Sequence, residues 1–326
     1  VKSYPNVKAL PMGIELAVIM ISRYKVPEVV RDCTGKGIKA LIIISEGFAE
    51  TDEEGKELQS EILRIVKHRK ARLLGPNSVG VANNFHNFSS TFLPMPKERE
   101  PVALVCQSGG LLEGFSDFTA GKSIDLGNMS DIDFNDVLEY LEDDPDVKII
   151  VLHIEGMKDG KRFIEVTSRV NKKKPILVLK TGKSEQAIRA IASHTGSLTG
   201  KDEIYETAFK KAGLIRVNDV DEVSDITKAF LNLPPMKGNR IGVVTPTGAG
   251  AIMIIDALGK QDLKLAKLSK ESVNKIKNLF PVWSPPSNPV DIMAAGIAHG
   301  YKNAYKASLE ALLEDENVDA VLCIAG

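Results

Sequence analysis

Hydrophobic positions fall in this chain as short continuous runs separated by longer amphipathic stretches. "IELAVIMIS" (14–22), "IKALIIIS" (38–45) and "ARLLGPN" (71–77) have the length and continuity of parallel strands covered on both faces. Between them, "VPEVVRDCTGKG" repeats its apolar positions at helical spacing and stops at glycine, and "DEEGKELQSEILRIVKHRK" does so over a longer span. The alternation predicts a doubly wound α/β sheet. Ligands of such sheets bind beyond the carboxyl ends of the strands. Ser22-Arg23, Ser45-Glu46-Gly47 and Gly75-Pro76-Asn77 all fall there. No glycine-rich strand-to-helix turn precedes Ile14, so this sheet is expected to begin midway.

A polar, proline-containing stretch, "FLPMPKEREP" (92–101), marks a boundary, and "LNLPPMKGNR" (231–240) marks a second. Between them the pattern predicts strands near 102–106, 147–154 and 175–180, with helices near 109–120, 133–143 and 160–171. A third unit opens with the strand "RIGVVT". The second and third units are alike. Each begins strand, glycine turn, helix ("VALVCQSGGLLEGF" and "IGVVTPTGAGAIMI"). Each later feeds an acidic helix end into a buried strand ("EYLEDDPDVKIIVLHI" and "EALLEDENVDAVLCIAG"). The expected organisation is therefore three α/β domains, residues 1–96, 97–235 and 236–326, the last of them incomplete.

Composition narrows the function classes. With 326 residues, 43% hydrophobic and 26% charged, the chain is long enough for two or three soluble domains. A formal net charge of −1 supplies no global field for nucleic acid or an anionic membrane. Cys33, Cys106 and Cys323 form no CxxC pair, which argues against a disulfide framework or structural zinc and fits a reducing compartment. No apolar run approaches the ~20 residues of a spanning helix, and "VKSYPNVKALP" is no signal peptide. The expectation is a cytoplasmic protein.

One of only five histidines, His194, lies in "AIASHTGSLTG", among residues too small to bury a ring. Imidazole serves as general base, metal ligand or nucleophile. Histidines 68, 86, 153 and 299 show no ligand spacing, so no metal site is expected. Proton transfer stays open. Nucleophilic capture of a phosphoryl group needs an accessible nitrogen, a partner fixing the tautomer, and donors for the anion. Ala192, Ser193, Thr195 and Gly196 leave room for a bulky charged group. Glu155, ending the strand "IIVLHIE", can accept from the ring N–H. Two turns, Gln107-Ser108-Gly109-Gly110 and Thr247-Gly248-Ala249-Gly250, offer helix N-termini to an anion. Each feature alone has a plainer reading: a surface histidine, a solvated strand end, or glycines for tight packing. A phosphohistidine site would use all of them together.

Those residues bring the chain close to a known family. It resembles the α-part of the NDP-forming acyl-CoA synthetases, the ADP-forming acetate–CoA ligase group related to succinyl-CoA synthetase. The motifs that carry the likeness are "ISEGF", "RLLGPNSVG", "CQSGG", "LEYLEDDPDVKIIVLHIEG", "SHTGSLTG", "VVTPTGAG" and "SNPVDI", in family order over nearly the whole chain. The resemblance implies a Rossmann-like CoA-binding domain followed by two flavodoxin-like domains. It gives His194 the role of the transiently phosphorylated histidine and Glu155 that of its acidic support. Ser108, Gly109 and Gly110 would form one phosphate-binding turn, and Thr247, Gly248, Ala249 and Gly250 the other. Ser22, Arg23, Ser45, Glu46, Gly47 and Asn77 would lie near CoA.

The implied reaction joins acyl-CoA, ADP and phosphate with acid, CoA and ATP, through an acyl phosphate. ADP, ATP and Mg2+ would bind an ATP-grasp β-subunit or fused domain, making a hetero-oligomer expected. Three departures stand out. The family's glycine-rich CoA phosphate loop would precede Val1, "FTAGKSIDLGNMSDID" is shorter than its counterpart, and the third domain stops early. Cys106 replaces the usual serine, which removes no backbone donor. The competing reading is a catalytically silent CoA- or nucleotide-binding module on the same scaffold, against which intact His194, Glu155 and both turns argue. A flavin or NAD oxidoreductase follows only from fold analogy.

Overall fold

The structure is a computed structural model that describes residues 2–112, 119–184, 186–187 and 201–325. The chain divides into two compact units, Val1–Asn232 and Leu233–Gly326. In the first unit, β1 (Leu16–Ile19), β2 (Ala40–Ile43) and β3 (Arg72–Leu74) form a parallel sheet in that order. Helices α1 (Val26–Gly35) and α2 (Glu53–His68) connect them. Pro27 in the first turn suits α1, where the missing N–H would be unpaired anyway. Asp52 caps α2, accepting from Gly55 N at 2.7 Å, and Glu53 and Glu54 complement the positive helix end. Ile43, Phe48, Ile62 and Leu73 are fully buried between these layers.

The larger sheet has seven strands in the order β10-β9-β8-β6-β7-β4-β5. Its centre is parallel: β6 (Val102–Cys106), β8 (Ile149–Ile154) and β9 (Ile176–Lys180), buried at every residue, with β7 (Lys122–Asp125) beside β6 and β10 (Ile215–Val217) beside β9. Full burial on both faces explains why β6, Ile149–Leu152 of β8 and Ile176–Leu179 of β9 read as apolar runs. One face is covered by α3 (Phe134–Glu142), α4 (Gly160–Val170) and α5 (Asp202–Ala212), through Phe134, Leu138, Phe163 and Phe209. The other meets Val223 of α6 (Val220–Asn232).

Several elements depart from the sequence expectation. The antiparallel strands β4 (Val81–Asn83) and β5 (Phe88–Ser89) precede the proline-containing stretch at 92–101, yet they extend the second sheet, β4 pairing with β7 and β5 with β4. They carry no long apolar run because they lie at its edge. The helix expected over 109–120 opens as a 3-10 turn, Gly109–Leu112, and residues 113–118 lie outside the described residues.

The second unit is a four-stranded parallel sheet around β11 (Arg240–Thr245), which pairs with β12 (Lys264–Leu265), β13 (Val290–Asp291) and β14 (Ala320–Cys323). Helices α7 (Gly248–Gly259), α8 (Lys270–Ile276), α9 (Met293–His299) and α10 (Tyr301–Leu313) accompany it. The "SNPVDI" motif has a structural task here. Asn288 accepts from Val243 N at 2.9 Å and donates to Ile241 O and Ala266 O, both at 2.8 Å. Its amide bridges β11 and the segment after β12. No helix among the described residues is long and apolar enough to cross a membrane.

Candidate active-site cleft

Parallel pairing brings the carboxyl ends of β6, β7, β8 and β9 to one edge of the large sheet. Cys106 is in register with Asp125 and His153, and Ile154 with Lys180. The residues that follow therefore cluster. A cleft of about 610 Å³ opens there, lined by Glu46, Gly47, Asn77, Gln107, Ser108, Gly109, Gly110 and Asp125 among others. The first phosphate turn and three of the CoA candidates thus share one cavity. A second groove of about 560 Å³, lined in part by Met20, Ser22, Arg23, Ser45 and Phe92, shares Glu46, Asn77 and Val79 with it.

The strand-end residues of the first sheet are tied to one another. Ser45 Oγ donates to Ile21 O at 2.6 Å and accepts from Ile21 N at 3.0 Å. Arg23 donates to Gly47 O at 2.7 Å, to Asp52 at 3.0 Å and to Glu54 at 3.0 Å, with its guanidinium 4.8 Å from the Tyr24 ring. These bonds fix the positions of Ser45 and Arg23 in the groove wall. Gly47 needs its glycine: φ is +92°, and a Cβ would stand 2.9 Å from Arg23 Cδ. Glu50, which the sequence pattern does not single out, accepts from Gly47 N (2.7 Å) and Phe48 N (3.1 Å) and, through its other oxygen, from Asn128 Nδ2 (2.5 Å). It joins the loop after β2 to the loop after β7.

Beneath the turn at Gly109 lies Asp125, 1% exposed. Its Oδ2 accepts from Val79 N at 2.6 Å and its Oδ1 from Gly127 N at 3.3 Å. Burial pushes this carboxyl up to about 6, against the pull of the two N–H bonds and with help from nearby Glu155. The adjoining Cys106 thiol, 3.9 Å from Asp125 Oδ1, is held well above its usual range by burial and by that carboxylate. His153 is buried with Nε2 2.9 Å from Thr181 Oγ1. Burial, aided by the Lys180 charge, lowers it to about 4, so the ring is neutral.

Glu155 is placed at the predicted strand end and is 7% exposed. Its backbone N–H, with that of Gly156, bonds Gln107 Oε1 at 2.7 and 3.0 Å, and its carbonyl accepts from Lys180 Nζ at 2.9 Å. Lys180 escapes a reading of the sequence because it closes an apolar run as a single polar residue, the pattern of an ordinary solvated strand end, and Asp125 because it ends the short, mostly polar strand Lys122–Asp125. His194 and its neighbours 188–200 lie outside the described residues. In the second unit, Thr247 precedes α7 with extended backbone (φ −149°), and Thr245 Oγ1 bonds Thr247 N at 3.2 Å and Thr247 O at 3.0 Å. Gly248, Ala249 and Gly250 form the first turn of α7. Among the described residues, no three His, Cys, Asp or Glu side chains converge as a metal site.

Comparison with known proteins bears on this arrangement. Residues 1–84 match the family model of a CoA binding domain, and residues 99–230 that of the succinyl-CoA ligase like flavodoxin domain. The α subunit of ADP-forming acetate–CoA ligase II from Pyrococcus furiosus is 41% identical, over 99% of this chain and 71% of its own. ADP-forming acetate–CoA ligase II from Archaeoglobus fulgidus is 36% identical over 98% of this chain, which spans about half (49%) of that longer protein. Among solved structures, the dinucleotide-forming acetyl-coenzyme A synthetase 1 of Ca. Korarchaeum cryptofilum, in complex with phosphate and ADP, superposes with a TM-score of 0.88 at 33% identity. That match covers 99% of this chain and 70% of the other. By its sequence, its two matched domains and its fold, the chain belongs to the family of ADP-forming acetate–CoA ligases.

Proposed function

We propose that this chain is the CoA-binding and phosphoryl-carrying part of an acid–thiol ligase that interconverts acyl-CoA, ADP and phosphate with a carboxylic acid, CoA and ATP. The observation that carries the reading is the cleft that joins Glu46, Gly47 and Asn77 to the turn Ser108–Gly110. A thioester entering along the groove beside Ser22 and Phe92 reaches a wall of backbone N–H groups suited to phosphate. Residues 1–96 hold CoA, residues 97–235 carry the reacting groups, and residues 236–326 present the second turn, at Thr247–Gly250.

A phosphate oxygen attacks the thioester carbonyl, the C–S bond breaks, and CoA leaves as a thiolate that takes up a proton. The N–H groups of the turn stabilise the charge on the acyl phosphate. A ring nitrogen of His194 then attacks phosphorus, and the carboxylate leaves. Glu155 accepts from the other ring nitrogen and holds the tautomer. The phosphohistidine passes its phosphoryl group to ADP on an ATP-grasp partner, which also supplies the Mg2+ site.

Hydrogen exchange with and without CoA tests the binding half of this reading. CoA is expected to protect the loops after residues 22, 45 and 75 in the complete enzyme. Unchanged exchange in all three loops under saturating CoA contradicts the assignment.

A further inference from the structure

Glu155 stands one residue beyond β8, where backbone pairing runs out. The last ladder bond on the β9 side runs from Thr181 N to Ile154 O, at 3.1 Å. From there, two side chains replace the ladder. On the β6 side, Gln107 Oε1 takes the N–H groups of both Glu155 and Gly156, at 2.7 and 3.0 Å. On the β9 side, Lys180 Nζ donates to Glu155 O at 2.9 Å and to the Thr181 carbonyl. Gln107 is 5% exposed and Lys180 1%, and the Lys180 ammonium lies 4.6 Å from the centre of the Tyr205 ring.

Burying an ammonium is a costly way to satisfy two carbonyls, a task that water or a hydroxyl performs at most strand ends. Desolvation lowers Lys180 to about 8. The peptide gripped is the one that sets the direction of the Glu155 side chain. The geometry points to Gln107 and Lys180 as positioning residues that hold the Glu155 carboxylate in its working direction by clamping its backbone from the two neighbouring strands. This rests on the reading of Glu155 as the partner of His194. Lys180 is not among the residues that line the cleft, and the Gln107 amide oxygen is taken up by the Glu155 and Gly156 N–H groups. Their effect is transmitted through the 155–156 peptide, and a displacement of the carboxylate by 1 Å is enough to slow a transfer step by about 100-fold.

The test is single-turnover formation of acid-labile phosphoprotein in the complete enzyme, from acetyl-CoA and radiolabelled phosphate, for Gln107→Met, Lys180→Met, Glu155→Gln and each pair with Glu155→Gln. Gln107→Met and Lys180→Met are expected to slow labelling by about 10–100-fold, with the steady-state KM for acetyl-CoA unchanged in Lys180→Met, whose side chain is not among those lining the cleft. In the Glu155→Gln background neither is expected to slow it further, because the carboxylate they aim is gone. Using both variants keeps the test open if one of them folds poorly. Wild-type rates in both single variants overturn the clamp. So does a loss that multiplies unchanged in the Glu155→Gln background, which marks general damage to the fold. Absence of label from the wild-type enzyme overturns the phosphohistidine reading and the clamp with it.

Discussion

The two glycine turns look alike in sequence, and their surroundings differ. Gln107–Gly110 follows the fully buried strand β6 and opens as a single 3-10 turn above Asp125, with the Gln107 side chain holding the end of the neighbouring strand. Thr247–Gly250 follows β11 and opens the twelve-residue helix α7, with the nearest carboxylate, Asp291, only at van der Waals distance from a Cβ placed on Gly248. The first turn is built into a polar, titratable wall. The second is a plain helix N-terminus, whose positive end and unpaired N–H groups come from the backbone alone. A shared strand–glycine–helix pattern therefore does not imply a shared task. The first turn suits the step in which bonds are made, and the second suits holding an anion.

The largest contrast should come from Gly109→Ala. A Cβ at this position overlaps Val79 Cγ1 and stands 2.7 Å from Val79 Cγ2 and 3.0 Å from Asp125 Oδ2. Valine is stiff at χ1 and its N–H is held by Asp125, so the turn must move instead. Steady-state turnover is expected to fall by about 100-fold, with a stability loss of about 1–3 kcal/mol from overpacking. Turnover near wild type would mean that this turn does not sit at the reacting groups. Next in size is Glu155→Gln, which keeps the shape and removes the charge. Phosphorylation should slow by about 10–100-fold, while hydrogen exchange of β8 stays the same. An unchanged rate would make Glu155 a bystander.

The two units should also part company in acid. His153 has a folded value of about 4, below its unfolded 6.5, so the unfolded chain binds the extra proton between these limits. The neutral buried ring is thus a stabilising arrangement above pH 6.5 that is lost as pH falls toward 4, by up to about 3 kcal/mol. Asp125 opposes it, gaining its proton first in the folded state between about 6 and 3.8. In the second unit, Asp319 is held down at about 2 by Arg240, whose side chain bonds it at 2.9 Å, so its stabilisation persists until pH drops below 3.8. The two opposing effects are each about 3 kcal/mol, so hydrogen exchange should show β8 protection nearly constant between pH 6.5 and 4 in wild type and rising as pH falls over that range in His153→Leu, where only Asp125 remains, with β11 unaffected in both. The same pH dependence of β8 in wild type and His153→Leu would remove the distinction. The smallest effect belongs to Gly248→Ala, where the added Cβ meets only Asp291 Oδ2 at 3.7 Å. Stability should stay within about 0.5 kcal/mol of wild type, and a larger loss would show that this turn is as tightly packed as the first.

Much of the fold is legible in the amino-acid sequence alone. Buried parallel strands announce themselves because both faces are apolar, so β2, β6, β8, β9 and β11 stand out as runs, and the residues at their carboxyl ends follow from parallel topology. The short strands β4, β5 and β10 do not, since short, half-covered strands carry too few apolar positions. The polar wall under the first turn is equally hidden. Asp125 and Lys180 are polar residues at strand ends, and whether such a residue points into water or into a buried cluster is decided by neighbours distant in sequence. The bonds of Arg23 to Asp52 and Glu54 are of the same kind. The sequence places an arginine at the strand end and leaves its carboxylate partners hidden.

The central claim is that a phosphoryl group passes from the cleft onto His194. The most direct measurement maps the acid-labile phosphate formed when the complete enzyme is given acetyl-CoA and radiolabelled phosphate, with His194→Ala as the control. The account predicts label on a peptide containing His194, none in His194→Ala, and CoA binding and fold unchanged in that variant. Net ATP formation at a near-normal rate in His194→Ala, or label on another residue, would contradict it.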